Sequence, residues 1–135
     1  MEQDLRKYSP LTFAFLGDGV YGLYVRAALV ERGNTQARNL HNAASKIVSA
    51  TAQAAALDAI EDILTEEEKE TVRRGSNART SHQAKNASSY DYHKATGLEA
   101  LFGYLYMQGR TDRIEELIAR CIEAAEAGGR SRGEK

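Results

Sequence analysis

The sequence predicts an all-α protein, and three observations support this prediction. The chain of 135 residues contains a single proline, Pro10. No segment alternates apolar and polar side chains over the length of a strand. Capping residues and glycines divide the chain into six helical segments. A chain of this length fits one domain with a single core.

The first predicted helix covers residues 10–32 and is the most unusual element. Ser9 and Pro10 open it as N-cap and first helical residue, and Gly33 ends it. It is apolar nearly all round, which is typical of a helix buried on more than one side. Its interior contains three glycines, Gly17, Gly19 and Gly22. Two explanations stay open: close packing within a core, or contact with a second subunit.

The next elements follow from composition and capping signals. We predict a second helix over residues 35–49 and a third, alanine-rich helix that continues to about Leu64. Thr65 and Glu68 have the spacing of a capping box, in which each side chain bonds the other residue's amide. They start a fourth helix, and Gly75 is predicted to end it.

The last part of the chain is divided in the same way. A polar loop over residues 76–92 precedes a fifth helix over residues 93–108. A sixth helix is predicted over residues 112–127. The domain therefore covers residues 1–127, and residues 128–135 are predicted to form a disordered tail.

Bulk properties narrow the class of protein. A net charge of −1 means that a polyanionic partner must be met by a local basic patch. The single Cys121 excludes an intramolecular disulfide and is typical of a reducing compartment. The polar N-terminus does not fit a secretory signal, and no uninterrupted apolar run approaches the roughly 20 residues of a membrane span. We therefore expect a cytoplasmic protein that does not enter a membrane.

Charge is segregated along the chain. Residues 58–70 carry seven acids and one lysine, whereas residues 71–90 carry no acid. The basic and amide side chains of the second stretch include Arg73, Arg74, Asn77, Arg79 and Lys85. A mobile basic loop of this composition suits phosphate and sugar contacts, although a solvated loop is the alternative. The second helix also carries His41 and Lys46 on one polar side.

Two carboxylates stand alone in apolar segments. Asp18 is the only charge in LTFAFLGDGVYGLYV, and Glu99 is the only charge in ATGLEALFGYLYM. A buried acid is costly unless a partner compensates it, and one Mg²⁺ ion would compensate both. Such an ion can activate water for phosphodiester hydrolysis. The alternative is that each acid pairs with a buried base, with Arg26 or Lys46 as candidates.

Other catalytic chemistries lack their residue patterns. The three histidines form no spaced ligand pair with one another or with Cys121, so no zinc site is predicted. No glycine-rich nucleotide-binding motif is present. Spacing does not exclude a Cys–His nucleophilic pair, but Cys121 lies in an amphipathic segment and is predicted to be a core residue.

Three motifs, in order, resemble those of the ribonuclease III catalytic domain. FAFLGDGVYGLYV resembles the signature helix of that family, and LHNAASKIVSATAQ resembles its second motif. LEALFGYLY resembles the segment that carries a metal-binding glutamate. The whole chain is similar to the short Mini-ribonuclease III branch, which lacks a double-stranded-RNA-binding domain. VRRGSNARTSHQAKN resembles the basic segment of that branch.

Two positions depart from the full-length members of the family. Those members carry an acid four residues before the aspartate and another three residues before the glutamate, where this chain has Ala14 and Thr96. Two of four acids remain, Asp18 and Glu99. The short branch is similarly reduced, so the resemblance still implies an active enzyme but leaves the number of metal ions per site open.

The resemblance also implies a fold and an activity. It implies a dimeric all-α domain, joined through the signature helix, that cleaves double-stranded RNA with Mg²⁺ or Mn²⁺ and leaves 5′-phosphate and 3′-hydroxyl ends. Asp18 and Glu99 would be the catalytic metal ligands. RNA contacts are expected from His41, Lys46, Arg73, Arg74, Asn77, Arg79 and Lys85.

The short branch implies a role in maturing large-subunit (23S) ribosomal RNA. Whether a ribosomal protein presents the substrate is left open. One alternative is a non-catalytic RNA-binding ribosome-assembly factor on the same fold, which would bind RNA without cleaving it. Another is a helical dimer module for protein partners.

Overall fold

The fold is a bundle of helices, as the sequence predicts. The computed structural model describes residues 4–78 and 88–133, and these ranges contain no strand. Their six α-helices are α1 (Pro10–Glu31), α2 (Ala37–Val48), α3 (Ala50–Ile60), α4 (Glu66–Ala78), α5 (Ser89–Met107) and α6 (Thr111–Gly133). Helix α5 lies at the centre and packs against α1, α3, α4 and α6.

Side-chain caps begin α1 and α4 where the sequence predicts them. The Ser9 hydroxyl accepts a hydrogen bond from the Thr12 amide at 3.1 Å at the start of α1. The capping box before α4 is also confirmed. The Thr65 amide donates to Glu68 Oε1 at 2.9 Å, and the Glu68 amide donates to Thr65 Oγ1 at 3.1 Å. Ser49 caps α3 and separates it from α2.

Two predicted boundaries of the connection between α4 and α5 are wrong. Helix α4 does not end at Gly75 but continues to Ala78. Gly75 faces α5, where an added Cβ would lie 2.7 Å from the Cβ of Ala100, so this glycine serves packing and does not end the helix. Helix α5 begins at Ser89, capped by Ser88, before the predicted start at residue 93. The last helix, α6, continues to Gly133, beyond the predicted end near residue 127.

Helices α1 and α5 cross with their backbones in contact. A Cβ on Gly17 would lie 1.6 Å from the carbonyl oxygen of Glu99, and a Cβ on Gly103 would lie 1.9 Å from the carbonyl oxygen of Phe13. No side chain fits between the helices at either point, so only glycine permits this approach. Because Gly17 precedes Asp18 and touches Glu99, the crossing brings the two isolated acids to the same part of the fold.

The core lies between α1, α2, α3, α5 and α6. Tyr21 of α1 packs edge-on against Phe102 of α5, with ring centroids 5.2 Å apart. Fully buried aliphatic side chains continue the core through the last two helices. These side chains are Leu98, Leu101, Leu105, Ile114 and Leu117.

Helix α1 also exposes apolar side chains, so the protein does not bury it on all sides. Phe15 is 83% exposed, Leu23 is 63% exposed and Val30 is 60% exposed. Leu11 lies on the same side at 38%. By length and composition alone α1 could cross a membrane. The apolar residues of α1 therefore fall into two groups, one that packs in the core and one that forms this exposed stripe.

A buried ion pair joins α4 to α6. Arg113 donates from Nη2 to Glu68 Oε1 at 2.7 Å and from Nε to Glu68 Oε2 at 2.9 Å, and it also donates to the carbonyl of Ile63 at 2.6 Å. Glu68 is fully buried. Burial opposes its ionisation, but the hydrogen bonds from Arg113 and from the Thr65 amide outweigh burial, so the pKa of Glu68 is lowered.

We predict that Gly17→Ala disrupts the α1–α5 crossing. The added methyl group would occupy the position of the Glu99 carbonyl, so the helices must separate, at a cost of about 3 kcal/mol or with loss of folding. Thermal unfolding followed by circular dichroism measures this change. Gly128→Ala in α6 is the control, because its Cβ meets nothing within 4 Å. Equal stability of the two variants would contradict the proposed role of Gly17.

We predict that the Glu68–Arg113 pair makes stability fall in acid. The folded pKa of Glu68 lies below the unfolded value of about 4.3, so its contribution is present above that pH and is lost as pH falls through the folded pKa. Melting temperatures between pH 6 and pH 3 should fall more steeply for the wild type than for Glu68→Gln. Glu70→Gln, which breaks an exposed pair with Arg73, should keep the wild-type slope. Parallel curves for wild type and Glu68→Gln would contradict the prediction.

Candidate functional site

Asp18 and Glu99 line the same cleft. It has a volume of about 390 Å³ and lies between α1, the start of α3 and α5. Besides the two acids, three polar side chains line it together with apolar residues, and these are Gln53, Tyr92 and Thr96. The structure therefore brings together the two carboxylates that the sequence selects from distant segments.

The two acids differ in their exposure, which corrects one premise of the sequence analysis. Asp18 is exposed on α1, whereas Glu99 is half-buried on α5. The ionised form of Asp18 therefore needs no buried base. Arg26 does not serve as one, because its Nη1 donates to the carbonyl of Gly22 at 3.1 Å. Lys46 lies exposed on α2 and does not line the cleft.

Ala14 and Thr96 line this cleft beside the acids. Both are buried, and the Thr96 hydroxyl donates to the carbonyl of Tyr92 at 3.0 Å within α5. The two positions at which the resemblance to full-length ribonuclease III would place further acids thus face the same space, but here they offer a methyl group and an internally bonded hydroxyl. Within the described ranges no group of three metal-ligating side chains forms.

Gln53 is a polar residue of the cleft that the sequence analysis does not select. It lies on α3 and is 2% exposed. Its Nε2 donates to the carbonyl of Val48 at 3.0 Å and contacts Glu99 Oε2 at 3.4 Å. The available signal was its position, since Gln53 is a lone amide in the alanine-rich segment ATAQAAAL.

The chemistry of the cleft suits a hard divalent cation. Asp18 and Glu99 offer carboxylate oxygens, and Gln53 Oε1 is a buried neutral oxygen without a partner among the described residues. Mg²⁺ takes oxygen ligands, retains several waters and commonly uses one or two carboxylates together with substrate phosphate oxygens. The residues present therefore fit such an ion.

Three predicted phosphate-binding residues lie on α4, which corrects their assignment to a mobile loop. They are Arg73, Arg74 and Asn77. Arg73 Nε donates to Glu70 Oε1 at 3.0 Å, and this hydrogen bond lowers the pKa of the Glu70 carboxyl. Arg74 shares a groove with Glu67 and Glu70. Acids on the same helix therefore offset part of this basic charge.

The other predicted contacts lie elsewhere. His41 and Lys46 are exposed on α2, and neither lines the cleft. His41 borders a separate groove between α1 and α2. Arg79 and Lys85 lie outside the described residues.

Cys121 is a core residue and not a nucleophile. It is fully buried on α6, next to Tyr21. Burial raises the pKa of the Cys121 thiol to about 12, so the reactive thiolate is scarce near neutral pH.

His93 has a contact of its own with α4. Its Nδ1 lies 2.7 Å from the carbonyl oxygen of Ser76, and this contact joins α5 to the end of α4.

Comparisons with known proteins place these observations in a family. Residues 11–110 match the model of the Ribonuclease III domain. The chain is similar to a Mini-ribonuclease 3 of Symbiobacterium thermophilum, at 44% identity over 88% of this chain and 92% of that relative. It is also similar to a Mini-ribonuclease 3 of Brevibacillus brevis, at 42% identity over 93% of this chain and 94% of that relative.

A solved structure supports the same assignment. The crystal structure of a Fusobacterium nucleatum protein matches this fold with a TM-score of 0.80 and 30% sequence identity. The match covers 90% of this chain and 98% of that one. The likeness therefore extends over the whole helical bundle and includes the helices that line the cleft.

Proposed function

This chain belongs to the ribonuclease III family and is an endoribonuclease, and we propose that it hydrolyses double-stranded RNA with Mg²⁺ held by Asp18 and Glu99. One observation carries the proposal. Two acids that lie far apart in the sequence line a single cleft, because the backbones of α1 and α5 touch at Gly17.

Asp18 and Glu99 have different tasks in this proposal. Asp18 is exposed and meets the incoming phosphodiester group, whereas Glu99 is half-buried and held by its neighbours. When bound, the Mg²⁺ ion activates a water molecule for attack and neutralises charge on the leaving oxygen. The products expected from this hydrolysis carry 5′-phosphate and 3′-hydroxyl ends.

The reduced acid set has a consequence for metal binding. Ala14 and Thr96 contribute no charge to the cleft, so fewer protein ligands are available than in full-length members of the family. Waters and RNA phosphate oxygens would supply the ligands that Asp18 and Glu99 do not. We therefore expect metal and substrate to bind cooperatively, with Mn²⁺ able to replace Mg²⁺.

We infer that two copies of the chain associate through α1. Leu11, Phe15, Leu23 and Val30 form an exposed apolar stripe along one side of the helix. Large apolar side chains that are exposed together on one helix are typical of an interaction site. Leu11 and Phe15 also line the cleft, so the stripe borders the site at one end. A two-fold dimer built on this stripe would carry two clefts for the two strands of a duplex.

The duplex is expected to be gripped largely through its backbone and 2′-hydroxyls. His41 and Lys46 on α2 and Arg73, Arg74 and Asn77 on α4 remain the proposed contacts, together with Arg79 and Lys85. We propose a role in maturing large-subunit (23S) ribosomal RNA in the cytoplasm, as the resemblance of the sequence to the short branch implies, with a ribosomal protein presenting the substrate as a further proposal.

We predict that Asp18→Asn lowers Mg²⁺-dependent cleavage of duplex RNA by more than about 100-fold. Loss of a direct ligand should exceed the effects of 10-fold to 100-fold that are typical of outer-shell residues. Because Asp18 is exposed, melting temperature should not fall. A cleavage gel with end-labelled RNA measures the rate.

Glu31→Gln is the matched control, since it removes one exposed negative charge from the same helix. It should cleave at the wild-type rate. Undiminished cleavage by Asp18→Asn would refute the site. RNA binding by the wild type without cleavage in any divalent ion would instead favour the ribosome-assembly factor.

We predict that Leu23→Glu separates the proposed dimer. Placing a charge in the centre of the apolar stripe should raise the dimer Kd about 30-fold or more, equivalent to about 2 kcal/mol. Sedimentation equilibrium measures this Kd. Tyr106→Glu is the control, because Tyr106 is also a large exposed side chain but lies on α5, outside the stripe. This variant should leave the Kd unchanged. A wild-type monomer at all concentrations would refute the interface.

A further inference from the structure

We propose that Gln53 is a positioning residue that holds Glu99 in the orientation needed to bind the metal ion. The inference rests on the proposed function, because it assigns Glu99 to Mg²⁺. It adds a neutral residue from a third helix, α3, to a site otherwise built from α1 and α5. Loss of Gln53 should therefore weaken metal binding without removing a carboxylate.

The hydrogen bonds of Gln53 determine the orientation of its amide. The Nε2 group faces two acceptors, the carbonyl of Val48 at 3.0 Å and Glu99 Oε2 at 3.4 Å. An amide turned the other way would direct Oε1 at two oxygens that carry no hydrogen, leaving all three without a bond. Donation from Nε2 is thus the orientation that the surroundings permit.

The contact with Val48 anchors Gln53 to the protein frame. Val48 is the last residue of α2, and Ser49 separates it from α3, to which Gln53 belongs. The side chain of Gln53 has little room to change its rotamer, because the residue is only 2% exposed. The amide therefore fixes the position of Glu99 Oε2, and with it the orientation of the carboxylate that lines the cleft.

The oxygen of the same amide gives a second, independent observation. Gln53 Oε1 is buried and has no hydrogen-bond partner among the described residues. An unsatisfied buried acceptor costs about 1–3 kcal/mol, which apolar residues of similar shape would avoid. In the proposed site this oxygen would accept a hydrogen bond from water that enters the cleft with the cation.

The test compares metal binding by the full chain with Gln53 or Gln108 replaced by methionine. Gln53→Met keeps the length of the side chain but removes both hydrogen-bonding groups. Gln108→Met is the matched control, because Gln108 also has a buried, unpartnered Oε1 but does not line the cleft. Mn²⁺ is the probe, and the free ion is titrated by electron paramagnetic resonance without RNA.

We expect Gln53→Met to raise the Kd for Mn²⁺ about 10-fold or more, within the range found for outer-shell residues. Gln108→Met should change it less than about twofold. The Mg²⁺ concentration for half-maximal cleavage should rise in parallel, while KM for RNA at saturating Mg²⁺ stays unchanged. A purely structural role would lower the melting temperature of both variants and leave the Kd for Mn²⁺ at the wild-type value, which would overturn the proposal.

The failure of this proposal is distinguishable from failure of the proposed function. A wild type that cleaves RNA, together with an unchanged Mn²⁺ Kd in Gln53→Met, refutes the role of Gln53 alone. A wild type that cleaves no RNA with any divalent ion refutes the function.

A measurement on the wild type covers the case in which Gln53→Met does not fold. In protein labelled with ¹⁵N, Mn²⁺ should broaden the side-chain amide signal of Gln53 at concentrations that leave the Gln108 signal sharp. Equal broadening of both signals, or of neither, would overturn the proposal.

Discussion

The close approach of α1 and α5 is the constraint on which the rest of the structure depends. At Gly17 and Gly103 each helix presents bare backbone to the other, and a single methyl group at either position would collide with a carbonyl oxygen. Burial of Tyr21 against Phe102 follows from this crossing, because the two rings flank it. So does the cleft, since Asp18 and Glu99 are neighbours of the residues in contact. The same helix crossing thus produces both the packing of the core and the position of the two acids.

The sequence was sufficient to predict the all-α class, the caps at Ser9 and Thr65, and the two acids that share the cleft. It misplaced the end of α4, because Gly75 has the pattern of a helix stop while its actual role depends on a partner helix distant in sequence. It overlooked Gln53 for a related reason. A glutamine among alanines has no special meaning until Val48 and Glu99 are seen on either side of it.

Asp18, the acid that stands alone in an apolar segment of the sequence, is not a buried charge in the structure. Asp18 stands apart in an apolar segment because the stripe beside it is exposed, not because the acid is buried. The fully buried acid is Glu68, which the sequence marks only as a capping residue, and Arg113 compensates it. Isolation in sequence and isolation from solvent are thus separate properties. Isolation in the sequence identified Asp18 and Glu99, which line the cleft. Isolation from solvent identified Glu68, whose ion pair with Arg113 joins α4 to α6.

The position of Phe15 links two properties of the protein. This side chain belongs to the exposed stripe and also lines the cleft. If the stripe is the subunit interface, a duplex that spans two clefts binds the associated form more tightly than the single chain. By mass action the substrate then promotes assembly of its own enzyme. Specific activity would fall on dilution and recover as RNA is added, so that catalysis responds to protein concentration as well as to substrate.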